Sequence, residues 1–329
     1  MGKDAIRVVG LGAYLPEHVM TNEEWSNYVD TSDEWITTRT GIKRRRIAAP
    51  DETTTDMAVA AASAALEDAG VSGQEIDEVI VATDTPEVFL PDTSSFVQHR
   101  LGIREVPAYE IGSSGCAGFI QALDIARARV HFGGGRILVV GVELLSRFMN
   151  WKDRNTCVLF GDAAAAAVVA SAGEGGEILS AVAGTDGSQT GILTLEVGGT
   201  RKPFTLQAAQ QGSHQNVVMN GREIFREAVR RMSEASLKVI SDAKLTKNEI
   251  ALVVPHQANL RIIEAVAKRL ELPLEKFYIN IQEYGNTGSA SVPLALWEAR
   301  GLGRISAGDI VLLTAFGAGF HWAAMLLKF

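Results

Sequence analysis

The chain has 329 residues, of which 47% are hydrophobic and 21% are charged, and its formal net charge is −8 at pH 7. These totals predict a globular protein large enough for two hydrophobic cores, and the negative charge gives no reason to expect a nucleic-acid partner. Two cysteines, the lack of an apolar N-terminal run and the lack of any membrane-length apolar stretch predict a cytoplasmic protein without disulfides or membrane segments.

The first elements along the chain are a strand and a capped helix. Residues 6–11 form a short apolar strand whose Gly-Leu-Gly end suggests a dinucleotide-binding turn. The third glycine of that motif is absent and Pro16 stands where its helix would continue, so we reject this interpretation.

Thr21, followed three residues later by Glu24, predicts a capping box at a helix start. Residues 43–46, Lys-Arg-Arg-Arg, are either a solvated face or a site for phosphates or an acidic partner.

The rest of the first half alternates between predicted helices and strands. An Ala-rich helix over 53–69 ends at Gly70. Residues 76–83 are almost continuously apolar, as expected of a strand in a sheet covered on both faces. We also predict a hairpin of two core strands, 157–160 and 163–170, in which Cys157 is an inert core residue. The remaining predictions are a helix at 93–101 and strands at 107–111 and 137–142.

The second half repeats this order of elements. A strand, a helix, a strand and a small-residue turn into a further helix occur in both halves, which indicates an internal duplication. We place the halves at residues 1–172 and 173–329. In this register Cys116 and Asn286 occupy equivalent helix starts, and facing halves would bring them together. The predicted elements are strands at 177–183, 250–254, 310–315 and 321–329, helices at 219–243, 258–270 and 292–300, and a polar loop at 198–216.

Cys116 lies between a run of small residues and a helical pattern. It follows Gly112, Ser113, Ser114 and Gly115, and apolar residues recur after it at helical spacing. A thiol at a helix start experiences the positive end of the helix dipole and free backbone N–H groups, which favour the thiolate. A free cysteine is also commonly a small core residue, so both interpretations stay open at this point.

Two further polar residues stand at strand-to-helix junctions, where α/β folds place their sites. His256 follows an apolar strand, and Asn286 lies in the small-residue turn of the second half. Together with Cys116 they would supply a nucleophile, a proton-transfer group and a neutral hydrogen-bond donor. The alternatives are a hydrogen-bonded core histidine and a helix-capping asparagine.

The chain contains six distinctive motifs: DTSDEWITTRTGI, GCAGF, WKDRNTCVLFGD, MNGREIF, VPHQANLRII and YGNTGSASVP. With them the chain resembles the β-ketoacyl-acyl-carrier-protein synthase III family over essentially its whole length. The resemblance implies an α/β thiolase fold, with two duplicated αβαβα halves packed in five layers, and a homodimer. It also implies the initiating condensation of type II fatty acid biosynthesis, in which an acyl-CoA and malonyl-acyl carrier protein give 3-oxoacyl-acyl carrier protein, CO2 and CoA.

The resemblance assigns a role to each candidate catalytic residue. Cys116 would take the acyl group from acyl-CoA as a thioester. His256 and Asn286 would stabilise the enolate that forms when the malonyl group loses CO2. The backbone N–H groups of Cys116 and Ala318, a position where the family commonly has glycine, would form the oxyanion hole, and Phe316 would be the aromatic residue beside the thiol. No metal or resident cofactor is implied, because acyl-CoA and malonyl-acyl carrier protein are substrates.

The resemblance also assigns binding residues. Trp35 and Arg154 would enclose the adenine of CoA, a stacking role suited to an indole and a guanidinium. Leu90 would reach into the acyl pocket of the partner subunit. The other CoA contacts would come from Thr31, Arg39 and Asn259, and docking of the acidic carrier protein from Arg226, Arg261, Lys268 and Arg269. A solvated face is the alternative for these four basic residues.

Several positions depart from the family pattern and leave the acyl substrate open. Alanines follow Asp162 where the family often has glycines, Gly288 replaces a serine or alanine, and Arg222 replaces a small polar residue. A condensing enzyme of secondary metabolism with an unusual acyl-CoA or acceptor is therefore one alternative, and a non-catalytic acyl-CoA-binding subunit is another. A biosynthetic thiolase would need a second cysteine near Phe316, and an elongating synthase would have histidine in place of Asn286.

Overall fold

Strands and helices alternate along residues 5–112 and 114–329, which are the residues that this computed structural model describes. Residues 1–4 and Ser113, one of the small residues predicted to precede Cys116 in a turn, lie outside the described residues. Within the described ranges, no helix combines the length and apolar character that crossing a bilayer requires. The strands are β1 (Arg7–Tyr14), β2 (His18–Thr21), β3 (Arg44–Ile47), β4 (Glu78–Thr83), β5 (Ala108–Gly112), β6 (Ile137–Glu143), β7 (Ala163–Ala170), β8 (Gly176–Thr185), β9 (Leu193–Leu195), β10 (Val217–Met219), β11 (Ile250–Pro255), β12 (Ile310–Gly317) and β13 (His321–Lys328). The α-helices are α1 (Asn22–Trp25), α2 (Asp33–Thr40), α3 (Thr54–Ala69), α4 (Thr93–Arg100), α5 (Gly118–His131), α6 (Leu206–Gln210), α7 (Gly221–Asp242), α8 (Leu260–Leu270), α9 (Ile281–Tyr284) and α10 (Ser291–Gly301).

The two halves of the chain have the same strand order. In the first half the order is β5-β4-β6-β7-β1, which is third, second, fourth, fifth and first along the chain. In the second half it is β11-β12-β13-β8, and Phe277 pairs in parallel with Val253 of β11 at the position of the third strand. The halves join where β1 pairs with β8 at Arg7–Glu177 and Val8–Gly176. The common order supports the internal duplication, while the predicted boundary at residue 172 stays a prediction.

Five layers result from the way in which helices cover these strands. The α3 helix packs on the outer face of the first set of strands, α5 and α10 lie between the two sets, and α7 and α8 cover the outer face of the second. Within β6, Ile137 and Val139 face the central helices, whereas Leu138 and Val140 face α3. Both faces are buried, which is why the strands are continuously apolar. The five-layer α/β fold predicted from the sequence is therefore confirmed.

The α3 helix shows how local sequence signals become structure. Thr53 and Asp56 form the reciprocal bonds of a capping box, and Gly70 ends the helix with a φ of 66°. A Cβ at Gly10 or Gly12 would collide with the backbone of Ala65 in α3. These glycines lie within β1 and let α3 pack closely on the strand, so they do not form a nucleotide-binding turn.

Three predictions of local structure were wrong. Residues 157–160 form turns, and only Phe160 makes an isolated bridge, with Asn286. The loop predicted over 198–216 contains α6 and a 3₁₀ turn. At the predicted capping box, Thr21 caps the backbone of Glu24, but the Glu24 carboxylate bonds to His18 instead. In each case a contact from elsewhere in the chain or a short local turn outweighs the pattern in the sequence.

The basic run at 43–46 does not form a single solvated face. Arg45 is completely buried, donates to the side-chain oxygen of Asn22 at 2.6 Å and to the carbonyl of Val158, and lies over the ring of Trp25. Burial lowers the pKa of Arg45 to about 9. This guanidinium therefore fixes the segment around Val158 to the N-terminal helices and is not available to a phosphate.

Candidate active site

Cys116, His256 and Asn286 line one pocket of about 250 Å³, together with Phe316. Cys116 lies in a 3₁₀ turn, Gly115–Ala117, between β5 and α5, so the α-helix begins two residues later than the thiol. His256 follows β11, and Asn286 precedes the equivalent 3₁₀ turn of the second half. The Sγ atom of Cys116 lies 4.0 Å from Oδ1 of Asn286. The duplication thus brings the two predicted helix starts together.

The backbone beside Cys116 is packed tightly against the end of β12. Gly115 has a φ of 60°, and a Cβ there would collide with the backbone nitrogen of Ala318. A Cβ at Gly317 would in turn collide with the backbone nitrogen of Cys116. Glycine at both positions therefore lets the N–H groups of Cys116 and Ala318 approach each other. This proximity suits the predicted oxyanion hole, whose role stays a prediction.

The environment of the Cys116 thiol favours its protonated form. Burial raises the pKa of Cys116 well above its ordinary value, and the nearby carboxyl groups of Asp84 and Glu143 act in the same direction. Hydrogen bonds to the backbone and to Asn286 oppose this effect without reversing it. Desolvation therefore opposes the thiolate that a helix N-terminus would favour.

His256 is held in a defined orientation by its neighbours. Its Nδ1 lies 2.5 Å from Oγ of Ser291, its backbone N–H donates to Thr314, and its ring packs edge-on against Phe316 at 5.4 Å. Either atom can supply the hydrogen between Nδ1 of His256 and the Ser291 hydroxyl, which also accepts the N–H of Gln257, and we assign the hydroxyl as the donor. This places the ring hydrogen on Nε2, a buried atom without a partner among the described residues. Burial lowers the pKa of His256 to about 3, so the ring is a neutral donor.

Asn286 is fixed through both its backbone and its side chain. Its N–H donates to the carbonyl of Leu159 at 2.8 Å, and its carbonyl accepts from Gly161 at 3.0 Å. Its Oδ1 accepts the N–H of Gly288 at 2.9 Å. Because Oδ1 is engaged in this way, the Nδ2 hydrogens are available to a substrate oxygen. The segment that was predicted as a strand at 157–160 therefore clamps Asn286 instead.

The predicted CoA-binding residues cluster around α2. The guanidiniums of Arg39 and Arg154 lie 4.3 and 5.1 Å from the ring centre of Trp35, and Arg154 also donates to the carbonyl of Asp30 at 2.7 Å. Two stacked layers need about 7 Å, so Arg154 must move for an adenine to enter between it and Trp35. The hydroxyl of Thr31 is buried without a partner within the described part of the chain.

Asn259 connects this cluster to the pocket. It caps α8 by accepting from Arg261 at 3.0 Å, and it donates to the backbone of Arg39 at 3.1 Å. All three residues also line the pocket that contains Cys116. Asn259, one of the predicted CoA contacts, therefore lies between the residues around Trp35 and the pocket that contains Cys116.

The other predicted binding residues lie outside the pocket or at its rim. Arg226, Lys268 and Arg269 are exposed on α7 and α8, and Arg269 lies 3.5 Å from Glu234. Arg261, also exposed, donates to the carbonyl of Thr38. Leu90 is 88% exposed and does not contact the pocket of its own chain.

Sequence analysis missed the carboxyl groups behind Cys116. Asp84 follows β4, is half-buried and accepts the N–H of Gly115 at 3.1 Å, and Glu143 ends β6 and is completely buried. Both carboxyl groups raise the pKa of the thiol. Asp84 follows β4 as His256 follows β11, so the internal repeat carried a signal for it. In the part of the chain described, no group of three or more His, Cys, Asp or Glu residues is arranged to hold a metal ion.

Comparison with known proteins identifies the family. Residues 112–187 match the family described as 3-oxoacyl-[acyl-carrier-protein (ACP)] synthase III, and residues 240–329 match its C-terminal family. The chain is 48% identical over 327 residues to a beta-ketoacyl-[acyl-carrier-protein] synthase III from Caldanaerobacter subterraneus, covering 99% of this chain and 98% of that protein. A protein of the same name from Roseiflexus sp. is 47% identical over 322 residues, with 98% and 97% covered.

A solved structure gives the same result. The crystal structure of 3-oxoacyl-[acyl-carrier-protein] synthase III from Aquifex aeolicus is 44% identical, with a TM-score of 0.90, and the match covers 98% of this chain and 100% of that one. Sequence and fold thus agree with each other and with the site geometry. The chain belongs to the 3-oxoacyl-[acyl-carrier-protein] synthase III family.

Proposed function

We propose that the pocket around Cys116 catalyses the initiating condensation of fatty acid biosynthesis in the cytoplasm, where its free thiol stays reduced. The substrates are a short acyl-CoA and malonyl-acyl carrier protein (malonyl-ACP), and the products are 3-oxoacyl-ACP, CO2 and CoA. The chain is an acyltransferase of the condensing-enzyme class. The observation that carries this proposal is the convergence of Cys116, His256 and Asn286 from both halves on one pocket.

The first step is acyl transfer to Cys116. The sulfur attacks the thioester carbon of the acyl-CoA, the bond to the CoA sulfur breaks, and the proton lost by Cys116 leaves with CoA. The oxyanion of the tetrahedral intermediate accepts hydrogen bonds from the adjacent backbone N–H groups of Cys116 and Ala318. Fixed backbone donors stabilise such an oxyanion without reorganising during the reaction.

The second step is decarboxylation followed by carbon–carbon bond formation. When malonyl-ACP loses CO2, the electron pair of the broken bond forms an enolate. Nε2–H of His256 and Nδ2–H of Asn286 donate to its oxygen, and the enolate carbon then attacks the acyl group. The sulfur of Cys116 leaves as a thiolate and takes one proton from water, which restores the thiol. Because decarboxylation supplies the carbon nucleophile and no electrons leave the substrates, we propose that no resident cofactor takes part.

The direct test is product analysis after mixing the chain with acetyl-CoA and malonyl-ACP. We expect 3-oxoacyl-ACP, CO2 and free CoA in equal amounts. Incubating the protein with each of a panel of acyl-CoAs and then measuring its intact mass identifies the preferred primer. If acylated protein forms but malonyl-ACP is not decarboxylated, the chain is a non-catalytic acyl-CoA-binding subunit, and preference for another acceptor places it in secondary metabolism.

We assign the adenine of CoA to the face of Trp35, supported by the two guanidiniums that already lie against this ring. Trp35→Ala is expected to raise the KM for acetyl-CoA about tenfold, because stacking on an aromatic side chain contributes about 1–3 kcal/mol per base. The KM for acetyl-pantetheine, which lacks the nucleotide, should stay unchanged. Trp35→Phe is the matched control and should retain most of the affinity. An equal loss with both substrates would contradict the assignment.

We assign carrier-protein docking to the exposed basic residues of α7 and α8, supported by Arg261, which lines the pocket, and by Arg226, which follows the pocket-lining Phe225. The double substitution Arg226→Glu and Lys268→Glu should raise the KM for malonyl-ACP about tenfold at low salt, because complementary charge steers association. Decarboxylation of malonyl-CoA should not change. Lys328→Glu, at the far end of β13, makes the same charge change as either single substitution and is the control for each of them. An equal effect of all variants on malonyl-ACP would refute the assignment.

We propose a homodimer in which Leu90 enters the acyl pocket of the partner. Two observations support this: β5 is an edge strand with a free side, and Phe89 and Leu90 are 85% and 88% exposed. Sedimentation analysis should therefore give about twice the chain mass of 35.3 kDa. A monomer at micromolar concentration would contradict the proposal.

A further inference from the structure

We propose that Glu143 is a positioning residue that supports the turn after Asn286 and thereby sets the Asn286 amide for decarboxylation. This inference rests on the function proposed above. Glu143 does not line the substrate pocket, so it acts through its neighbours and not on the substrate.

The carboxyl group of Glu143 connects three parts of the site. It ends β6 and is completely buried. Its Oε1 lies 2.9 Å from Oγ of Ser289, and its Oε2 accepts the hydroxyl of Thr85 at 2.9 Å. Both oxygens also accept the N–H of Asp84, at 3.1 and 3.2 Å. The ends of β4 and β6 are thus connected to the turn that carries Asn286.

Gly288 is shaped to fit this carboxyl group. Its N–H orients the Asn286 amide, its φ is 56°, and a Cβ there would lie 2.5 Å from Cγ and 3.0 Å from Cδ of Glu143. Gly288 is absent from the pocket lining, so its departure from the family pattern does not alter the acyl-binding surface. Instead, glycine at 288 accommodates the long side chain at 143.

Glu143 shares the hydroxyl of Ser289 with the backbone of β4. The hydroxyl of Ser289 has one hydrogen, yet it lies 2.9 Å from both the carbonyl of Ala82 and Oε1 of Glu143. Both oxygens can accept this hydrogen, so the Ser289 hydroxyl links the carboxyl group of Glu143 to the backbone of β4. Burial and the neighbouring Asp84 both raise the pKa of Glu143.

The first test compares two substitutions of Glu143 in both half-reactions. Glu143→Gln keeps the shape and one acceptor oxygen and should retain decarboxylation of malonyl-ACP. Glu143→Ala removes the support of the turn and should slow decarboxylation at least about tenfold, because a small displacement of the Asn286 amide lowers the rate strongly. Acyl transfer to Cys116 should change less than about threefold. A purely structural role would slow both half-reactions equally. That result, or a Gln variant as slow as Ala, would overturn the proposal.

The second test uses the fit between residues 143 and 288. Gly288→Ala should slow decarboxylation at least about tenfold, because the added carbon displaces the turn. In the Glu143→Ala background, which lacks Cγ and Cδ, Gly288→Ala should slow decarboxylation little further, whereas in the Glu143→Gln background, which keeps both carbons, it should slow it about tenfold as in wild type. Equal further slowing in both backgrounds, or in neither, overturns the inference. Decarboxylation by the wild-type protein is measured first, because its absence would refute the proposed function itself.

Discussion

Replacing Cys116 by Ala should abolish transfer of an acyl label from acyl-CoA to the protein. The thiol is the group that forms the thioester, and the other cysteine, Cys157, is buried and does not line the pocket. We expect one acyl group per wild-type chain by intact mass and none on the variant, with condensation at least about 10³-fold slower. Decarboxylation of malonyl-ACP should persist, because its donors lie on His256 and Asn286.

Cys157→Ala is the matched control for this experiment. It removes the same atom from a buried site at a cost in stability of about 1 kcal/mol and should acylate as fully as wild type. Acylation that survives in Cys116→Ala would show that another group accepts the acyl chain. Loss of label in both variants would point to a general folding defect, which thermal unfolding measures directly.

The pH dependence of acylation tests the state of the thiol. Burial and two carboxyl groups raise the pKa of Cys116 above its ordinary value of 9.0. Below that pKa the thiolate fraction rises about tenfold per pH unit, so the acyl-transfer rate should still be increasing at pH 9. A plateau near neutral pH would instead show that the helix N-terminus lowers the pKa of Cys116, as the sequence alone suggested.

The sequence was a good guide where one local pattern determined the outcome. The apolar run 76–83 and the Ala-rich run 53–69 that ends at Gly70 predicted a strand and a helix to within two residues. The repeated order of elements also predicted that Cys116 and Asn286 would meet. These signals are local, or they repeat, so a single chain contains enough information to detect them.

The sequence was a poor guide where a residue's partner lies far along the chain. Arg45 belongs to a basic run but is buried against Val158, more than a hundred residues away. Gly288 is required by the size of Glu143, which is equally distant in sequence. The pKa of Cys116 depends on carboxyl groups from two other strands. Such three-dimensional contacts leave no periodic signal, so only the folded structure reveals them.

Replacing Asn286 by Ala should slow decarboxylation of malonyl-ACP by about 10²–10³-fold, because it removes one of two donors to the enolate oxygen. Acyl transfer uses backbone donors and should change much less. His256→Ala should have a similar effect on decarboxylation. The burial that lowers the pKa of His256 to about 3 means that its ring stays neutral between pH 5 and 9, so titration of His256 should cause no change in the wild-type decarboxylation rate over that range.

Asn286→Asp separates hydrogen bonding from simple space filling. The new carboxylate keeps the shape and can still accept the N–H of Gly288, but it offers no donor and places a negative charge where the enolate charge develops. Decarboxylation should therefore be slower in Asn286→Asp than in Asn286→Ala. The same charge near Sγ of Cys116 would raise the pKa of the thiol further and slow acyl transfer at neutral pH as well. If Asn286→Asp decarboxylated malonyl-ACP as fast as wild type, Asn286 would not be a donor to the enolate.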